Sequence, residues 1–254
     1  MTRRVAVALA AATLLALAGC DGAVGAEMTF DDVVQSKISE IVLTGGNADV
    51  TVTTATGTET VIKRVVRGGT NAGEAHKLSG AVLTLPTDCG RDCRTRYEIK
   101  APAGVTVRGD LHSGDVMLER VGPVDLKLTS GDVGVRDATG KVAIRATSGD
   151  LAVDGAPEVN LECTSGDLTA LNVSGPITAR SSSGDTHLGL AVPASVTATV
   201  TSGNLDLMVP EGSYRVRTDT GSGDETLHGV IDDPKAKHTL DLRTRSGDLT
   251  VVPR

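Results

Sequence analysis

Seven aspartates recur in the motif Ser-Gly-Asp and give this 254-residue sequence its clearest potential for chemistry. They are Asp115, Asp132, Asp150, Asp167, Asp185, Asp224 and Asp248. A row of carboxylates offers the oxygen ligands that Ca²⁺ prefers, but the spacing differs from the nonapeptide repeat of calcium-binding β-rolls. Aspartate also closes tight turns by accepting backbone N–H bonds. Because Ser202-Gly203-Asn204 repeats the motif without the charge, we expect each aspartate to close its own turn, and we predict no metal site.

Cysteines offer a second kind of chemistry. Cys89 and Cys93 are separated by three residues, which differs from the Cys-x-x-Cys spacing of thioredoxin-like redox pairs. Outside the cytoplasm such a pair is expected to form a local disulfide, although a redox-active pair is the alternative. Cys163 lies in an apolar column beside Leu161, so we expect a buried and unreactive thiol.

Catalytic groupings are not visible in this sequence. The five histidines do not have the spacing of a metal site, and they do not form a repeating column. The serines of the Ser-Gly-Asp motif have no accompanying His-Asp pattern of the kind that activates a serine nucleophile. We therefore predict no catalytic residue and no cofactor.

Cys20 follows a segment that is typical of export. Arg3 and Arg4 precede an uncharged apolar run from residue 5 to residue 17, which is too short to span a bilayer. Leu17-Ala18-Gly19-Cys20 resembles the lipobox of bacterial lipoprotein precursors, and this resemblance implies that Cys20 is lipidated and becomes the mature N-terminus. We predict a signal peptide over residues 1–19, a lipidated tether over residues 20–36, and an extracytoplasmic location with a lipid anchor in the cell membrane.

The elements that position the aspartates follow from the period of the motif. Successive motif serines are 17 to 24 residues apart, which is the length of one coil of a solenoid. Apolar and polar residues alternate on both sides of each motif, as in Ile144-Arg145-Ala146, and this predicts two short strands per coil. The fold class predicted is all-β, a parallel β-solenoid or β-helix of about 18 residues per coil, with Ser-Gly-Asp turns. It covers residues 37–254, with irregular first coils and an excursion at 37–96 and regular coils at 97–254.

Composition and charge limit the partners. Phe, Tyr and Trp make up only 1% of the chain, which suits a narrow core without large rings. The net charge of −7 becomes −9 when Arg3 and Arg4 leave with the signal peptide. An acidic protein repels phosphate backbones and anionic lipid. We therefore predict no nucleic-acid partner and expect membrane attachment only through the lipid.

Laid out in these columns, the chain resembles the DUF4097 family of candidate adhesins with β-strand repeats. The residues that carry the resemblance are Tyr97-Glu98-Ile99-Lys100-Ala101-Pro102-Ala103-Gly104-Val105, a strand-Pro-x-Gly opening, and the Ser-Gly-Asp coils from Ser113 onwards. The resemblance covers roughly residues 38–253. It implies a right-handed, β-helix-like solenoid, and it brings neither catalytic residues nor an assigned ligand. The sequence departs from the repeat at Asn204 and around Thr220-Gly221-Ser222.

Three functions are compatible with these features. We favour a non-catalytic lipoprotein of the cell envelope that displays a rigid solenoid for adhesion, or for contact with an envelope protein or a cell-wall polymer. The alternative is an envelope sensor or regulator that binds a membrane protein through residues 68–96. A polysaccharide-acting β-helix enzyme is less favoured, because the sequence lacks the basic and aromatic groove expected for its substrate.

Overall fold

A computed structural model describes residues 27–68, 74–90 and 92–254, and within these ranges every regular element is a β-strand. The first nine strands are β1 (Glu27–Val34), β2 (Glu40–Gly46), β3 (Ala48–Ala55), β4 (Thr60–Gly68), β5 (Lys77–Ser79), β6 (Val82–Thr87), β7 (Cys93–Pro102), β8 (Thr106–Leu111) and β9 (Val116–Glu119). The next ten are β10 (Val124–Ser130), β11 (Val133–Arg136), β12 (Val142–Ser148), β13 (Leu151–Ala156), β14 (Val159–Ser165), β15 (Leu168–Val173), β16 (Ile177–Ser183), β17 (Thr186–Leu190), β18 (Val196–Ser202) and β19 (Leu205–Val209). The last five are β20 (Ser213–Ser222), β21 (Glu225–Leu227), β22 (Ile231–Asp232), β23 (Thr239–Ser246) and β24 (Leu249–Pro253).

The strands form two sheets of twelve, which confirms the predicted all-β parallel solenoid. Sheet A has the order β1-β4-β7-β3-β9-β11-β13-β15-β17-β19-β24-β21, and sheet B has the order β22-β20-β23-β18-β16-β14-β12-β10-β8-β2-β6-β5. From β8 to β19 each coil contributes one strand to sheet B and the next to sheet A. Equivalent positions stay in register, so that Ser148 pairs with Ser165 and Ser165 with Ser183.

The core lies between the two sheets and is built from the alternating columns. Ile144 and Leu161 are fully buried neighbours in adjacent coils, whereas Arg145 and Glu162 point outward from the same strands. Parallel stacking at about 4.8 Å per strand satisfies the backbone groups from coil to coil. The narrow space between the sheets is filled mainly by Val, Leu, Ile and Ala, which explains why the chain needs so few aromatic rings.

The coils at both ends are not stacked in sequence order. At one end, β2 and β3 lie between the β8–β9 coil and the β6–β7 coil. At the other end, β23 and β24 lie between the β18–β19 coil and the β20–β21 coil. The coil of β20 and β21 is therefore the outermost one, although the coil of β23 and β24 follows it in sequence.

Two boundaries differ from those that the sequence predicts. Residues 27–34, predicted as part of the tether, form β1, which runs antiparallel to β4. Only Val34 of β1 is buried, so the strand lacks the alternation that would have revealed it. Residues 68–96, predicted as an irregular excursion, contain β5 and β6, and β6 is a core strand because Leu83 and Leu85 are fully buried.

None of the described residues forms a helix long and apolar enough to cross a bilayer. The predicted signal peptide and Cys20 lie outside the described residues.

Candidate functional site

The motif aspartates form a continuous hydrogen-bonded row along one edge of the solenoid, which we call the aspartate ladder. The backbone N–H of Asp150 donates to Oδ1 of Asp132 at 2.8 Å, and the N–H of Asp167 donates to Oδ1 of Asp150 at 2.9 Å. The expectation that each aspartate closes its own turn is wrong, since each of these carboxylates accepts its bond from the next coil. The physical reason is the register, which places each motif amide directly beside the preceding carboxylate.

The ladder is longer than the repeat indicates. Its first member is Asp49, whose Oδ1 accepts the N–H of Asp115 at 3.4 Å. Asn204 occupies the position between Asp185 and Asp248, accepting the Asp248 N–H through its amide oxygen at 3.0 Å. In spatial order the members are Asp49, Asp115, Asp132, Asp150, Asp167, Asp185, Asn204, Asp248 and Asp224. The signal for Asp49 was the degenerate motif Asn47-Ala48-Asp49, in which asparagine replaces serine and alanine replaces glycine.

The motif glycines allow the coils to approach at this edge. Gly166 has a φ of +135°, and a Cβ there would lie 2.2 Å from the carbonyl oxygen of Gly149. A side chain is therefore excluded both by the backbone conformation and by the neighbouring coil. This explains why Ser-Gly-Asp recurs while the outward strand residues vary.

The polar groups of this edge bond to one another. Ser113 donates to the side-chain oxygen of Asn47 at 2.8 Å, and the hydroxyls of Ser222 and Ser246 are 3.2 Å apart. Within the described ranges, no three His, Cys, Asp or Glu side chains lie close enough together to hold a metal ion. The Ser-Gly-Asp edge is thus arranged to join coils.

The cysteines lie in two different environments. Cys89 and Cys93 are joined by a disulfide in the segment that leads into β7. Cys163 is a free, buried thiol whose Sγ lies 3.4 Å from the carbonyl oxygen of Gly149, and burial raises its pKa. A protonated, enclosed thiol is a poor nucleophile.

An open pocket of about 1170 Å³ lies between the disulfide segment and the first rungs of the ladder. Its lining includes Arg67 and Arg94 together with Asp49, Asp92 and Asp115. The pocket therefore presents both signs of charge. The sequence predicted the cysteine pair but not its position beside the ladder, which depends on the antiparallel pairing of β4 with β7.

A buried arginine that the sequence did not reveal holds the same end together. Arg64 is 2% exposed, and its guanidinium lies 5.8 Å from the ring of Phe30 and 5.9 Å from that of Tyr97. The Tyr97 hydroxyl is 2.7 Å from the carbonyl oxygen of Pro86 and 3.1 Å from that of Ala75. Burial raises the pKa of Tyr97 to about 12, and the positive charge of Arg64 opposes part of that rise. These contacts tie residues 74–90 to the solenoid.

The family model Toastrack DUF4097 matches residues 27–252 of the chain, nearly all of the described coils. The chain belongs to the DUF4097 family. Its match begins at β1, which agrees with the placement of that strand in the fold rather than in a tether. No curated protein matches this DUF4097 chain.

Three solved structures that match this chain come from Bacteroides, Parabacteroides and Clostridium species. A candidate adhesin from Bacteroides fragilis NCTC 9343 has 17% identity and a TM-score of 0.57, over 89% of this chain and 97% of that one. A candidate adhesin from Parabacteroides merdae ATCC 43184 has 12% identity and a TM-score of 0.41, over 89% and 96%. A candidate cell adhesion protein from Clostridium sporogenes ATCC 15579 has 10% identity and a TM-score of 0.34, over 90% and 100%. The first of these supports a shared fold.

Proposed function

We propose that this protein is a non-catalytic lipoprotein of the cell envelope, anchored through Cys20, that displays its solenoid for adhesion. The observation that carries the proposal is that the repeated polar residues bond one coil to the next. The motif aspartates and asparagine form bonds between coils, so the most repeated feature of the chain builds a rigid scaffold. The name of the Bacteroides fragilis protein with a similar fold, a candidate adhesin, agrees with this role.

The distance between Cys20 and β1 gives the display an orientation. Six residues lie between Cys20 and Glu27, and the seven Cα–Cα steps that join the two reach at most about 25 Å when fully extended. The β1 end would therefore stay close to the bilayer. Since strands in a sheet are about 4.8 Å apart, the twelve strands of sheet A allow the opposite end to extend up to roughly 50 Å further away.

Lipidation and display can be tested together in intact cells. The wild-type protein should incorporate a labelled fatty acid and fractionate with membranes, and Cys20→Ala should do neither. After removal of any outer wall, external protease should cleave the wild-type protein. A chain that stays protected, or that incorporates no lipid, would contradict the proposal.

A second candidate is a regulator of a membrane protein, and it is favoured by the pocket beside the disulfide. The short segment between the lipidated Cys20 and β1 would hold this pocket, with its arginines and aspartates, near the membrane surface. Cross-linking on intact cells followed by mass spectrometry tests this role. Links from residues 74–90 to one membrane protein in near-equal amount would support regulation, whereas links spread over the outer faces would support adhesion.

A further inference from the structure

The outer face of sheet B carries a groove between two columns of outward side chains. One column contains Arg145, Glu162 and Arg180 in successive coils, and the other contains Thr164 and Ser182. The groove has a volume of about 370 Å³, at the lower end of the roughly 300–1,000 Å³ that is typical of ligand sites. It is open and runs along the coil axis.

The charges at this groove are not balanced. Arg145 Nε lies 3.1 Å from Glu162, and Arg180 Nη1 lies 3.2 Å from the other oxygen of the same carboxylate. One negative charge is thus shared by two guanidiniums, whose Cα atoms stand two coil steps or about 10 Å apart. About half of each arginine side chain is exposed, 57% for Arg180 and 49% for Arg145. Each retains donors for an additional anionic group.

The floor of the groove is the strand backbone between the two outward columns, where the side chains are small and point into the core. Ala146, Cys163 and Ser181 occupy the same register position in successive coils, where the flanking coils have Leu128 and Val200. Ser181 is only 5% exposed, and its Oγ has no hydrogen-bond partner among the described residues. That hydroxyl belongs to the core-facing column, as Leu128 and Val200 do, and it therefore does not face a ligand in the groove.

We propose that this groove binds an extended acidic polysaccharide, with a sugar carboxylate held by Arg145 and Arg180. Guanidinium groups bind carboxylates with charge-assisted hydrogen bonds. The hydroxyls of Thr164, Ser182 and Thr201 face the sugar hydroxyls from the opposite wall. The inference rests on the proposed adhesive function and names its ligand class. A linear glycan fits because the groove is straight and repeats its hydroxyls once per coil.

A single site of this kind binds weakly. The residues that line the groove include no aromatic side chain on which a sugar ring could stack, and the groove leaves much of the ligand in water. Adhesion would then depend on many copies of the protein engaging one polymer, because linked weak contacts gain strength through effective concentration.

The test uses full-length protein purified in a neutral detergent, with oligogalacturonate as the probe. Oligogalacturonate should bind, and its methyl ester, which has the same sugar backbone without the charge, should not. Arg145→Gln together with Arg180→Gln should weaken binding by about tenfold or more, the scale expected when charge-assisted bonds are lost. Arg136→Gln removes an exposed arginine from sheet A on the opposite face and should leave binding unchanged.

Glu162→Gln provides a gain of binding that misfolding cannot imitate. Removing the carboxylate that both arginines share should tighten oligogalacturonate binding several-fold, and it should make binding more sensitive to salt. Equal binding by the double arginine variant, equal loss in Arg136→Gln, or weaker binding in Glu162→Gln would overturn the inference. Because the assay needs no cells, failed display with intact glycan binding overturns only the proposed function. Successful display without glycan binding overturns only this inference.

Discussion

Oδ1 of Asp150 accepts the backbone N–H of Asp167 at 2.9 Å, across the gap between two coils. The bond belongs to the interface between repeats rather than to a turn. In repeat proteins, stability is approximately the sum of terms within each repeat and terms between neighbours. The aspartate ladder adds to the second kind, so it should matter most where coils would otherwise separate.

Replacing Asp150 tests whether the ladder needs an acceptor or a charge. Asp150→Ala should lower the free energy of unfolding by about 1 kcal/mol, the usual net contribution of one hydrogen bond. Asp150→Asn should lie close to the wild type, because Asn204 fills the same role with an amide oxygen. Urea denaturation measures both values. Equal losses in the two variants would mean that the negative charge, and not the acceptor, stabilises the edge.

Replacing a motif glycine tests the close approach of the coils. Gly57 and Gly166 have similar φ values, +130° and +135°, but a Cβ at Gly57 would meet no atom within 4 Å. Gly57→Ala should therefore cost only the backbone strain, about 1–3 kcal/mol. Gly166→Ala should cost about 1–3 kcal/mol more, because the new methyl group would overlap the carbonyl oxygen of Gly149. Thermal and urea denaturation of the two variants give the comparison, and equal costs would contradict the steric argument.

The regular coils could be predicted because each strand displays its own burial. Ile144 and Arg145 alternate in the sequence as they alternate between core and solvent in the structure. The partner of the Asp150 carboxylate could not be predicted, since a repeat gives the same spacing whether its bonds lie within turns or between them. Residues 27–34 were missed because an edge strand with one buried side chain has no apolar period.

The order of the coils at each end also escapes a sequence pattern. Leu240 and Leu242 have the alternation of any core strand, and this alternation is the same whether a coil stacks at the end or between two others. Only the pairing partners, Val196 and Ala198 of β18 on one side and β20 on the other, place β23 inside the stack. The same limitation applies to Arg64, whose aromatic neighbours come from strands distant in sequence.

Removing the last coil should therefore release the coil that precedes it. Deleting residues 239–254 takes away β23 and β24, which separate the β18–β19 coil from β20 and β21. We expect residues 213–232 to lose protection against hydrogen exchange, while β10 to β17 keep theirs, because each repeat is stabilised mainly by its neighbours.

A longer deletion provides the control for this result. Deleting residues 210–254 leaves β18 and β19 as a simple stack end, without an orphaned outer coil. It should melt no lower than the shorter deletion, although it lacks more of the chain. Continued protection of residues 213–232 after the shorter deletion would show that the outer coil does not depend on β23 and β24.

Tyrosine ionisation provides a test of burial at the two ends. Burial raises the pKa of Tyr97 to about 12 and also raises the pKa of Tyr214. The chain has two tyrosines and no tryptophan, so tyrosinate absorbance reports on these residues alone. At pH 11 Tyr97 should remain mostly protonated in the folded protein, so the tyrosinate absorbance should lie well below the value reached after unfolding in urea. Ionisation with an ordinary midpoint near pH 10 in protein that circular dichroism shows to be folded would contradict the burial of both rings.

The same shift predicts how stability depends on pH. Below pH 10 both states keep the Tyr97 proton, and the stabilisation is fully present. Between pH 10 and about 12 the unfolded state loses the proton first, so the free energy of unfolding should fall as pH rises, by up to about 1.4 kcal/mol per pH unit. In Tyr97→Phe this contribution to the decline disappears.

At neutral pH, however, the Tyr97→Phe variant should be less stable by about 1–3 kcal/mol, because the carbonyl oxygens of Ala75 and Pro86 lose their donor. Urea denaturation at several pH values separates the two effects, and an unchanged alkaline slope in Tyr97→Phe would show that another group governs it.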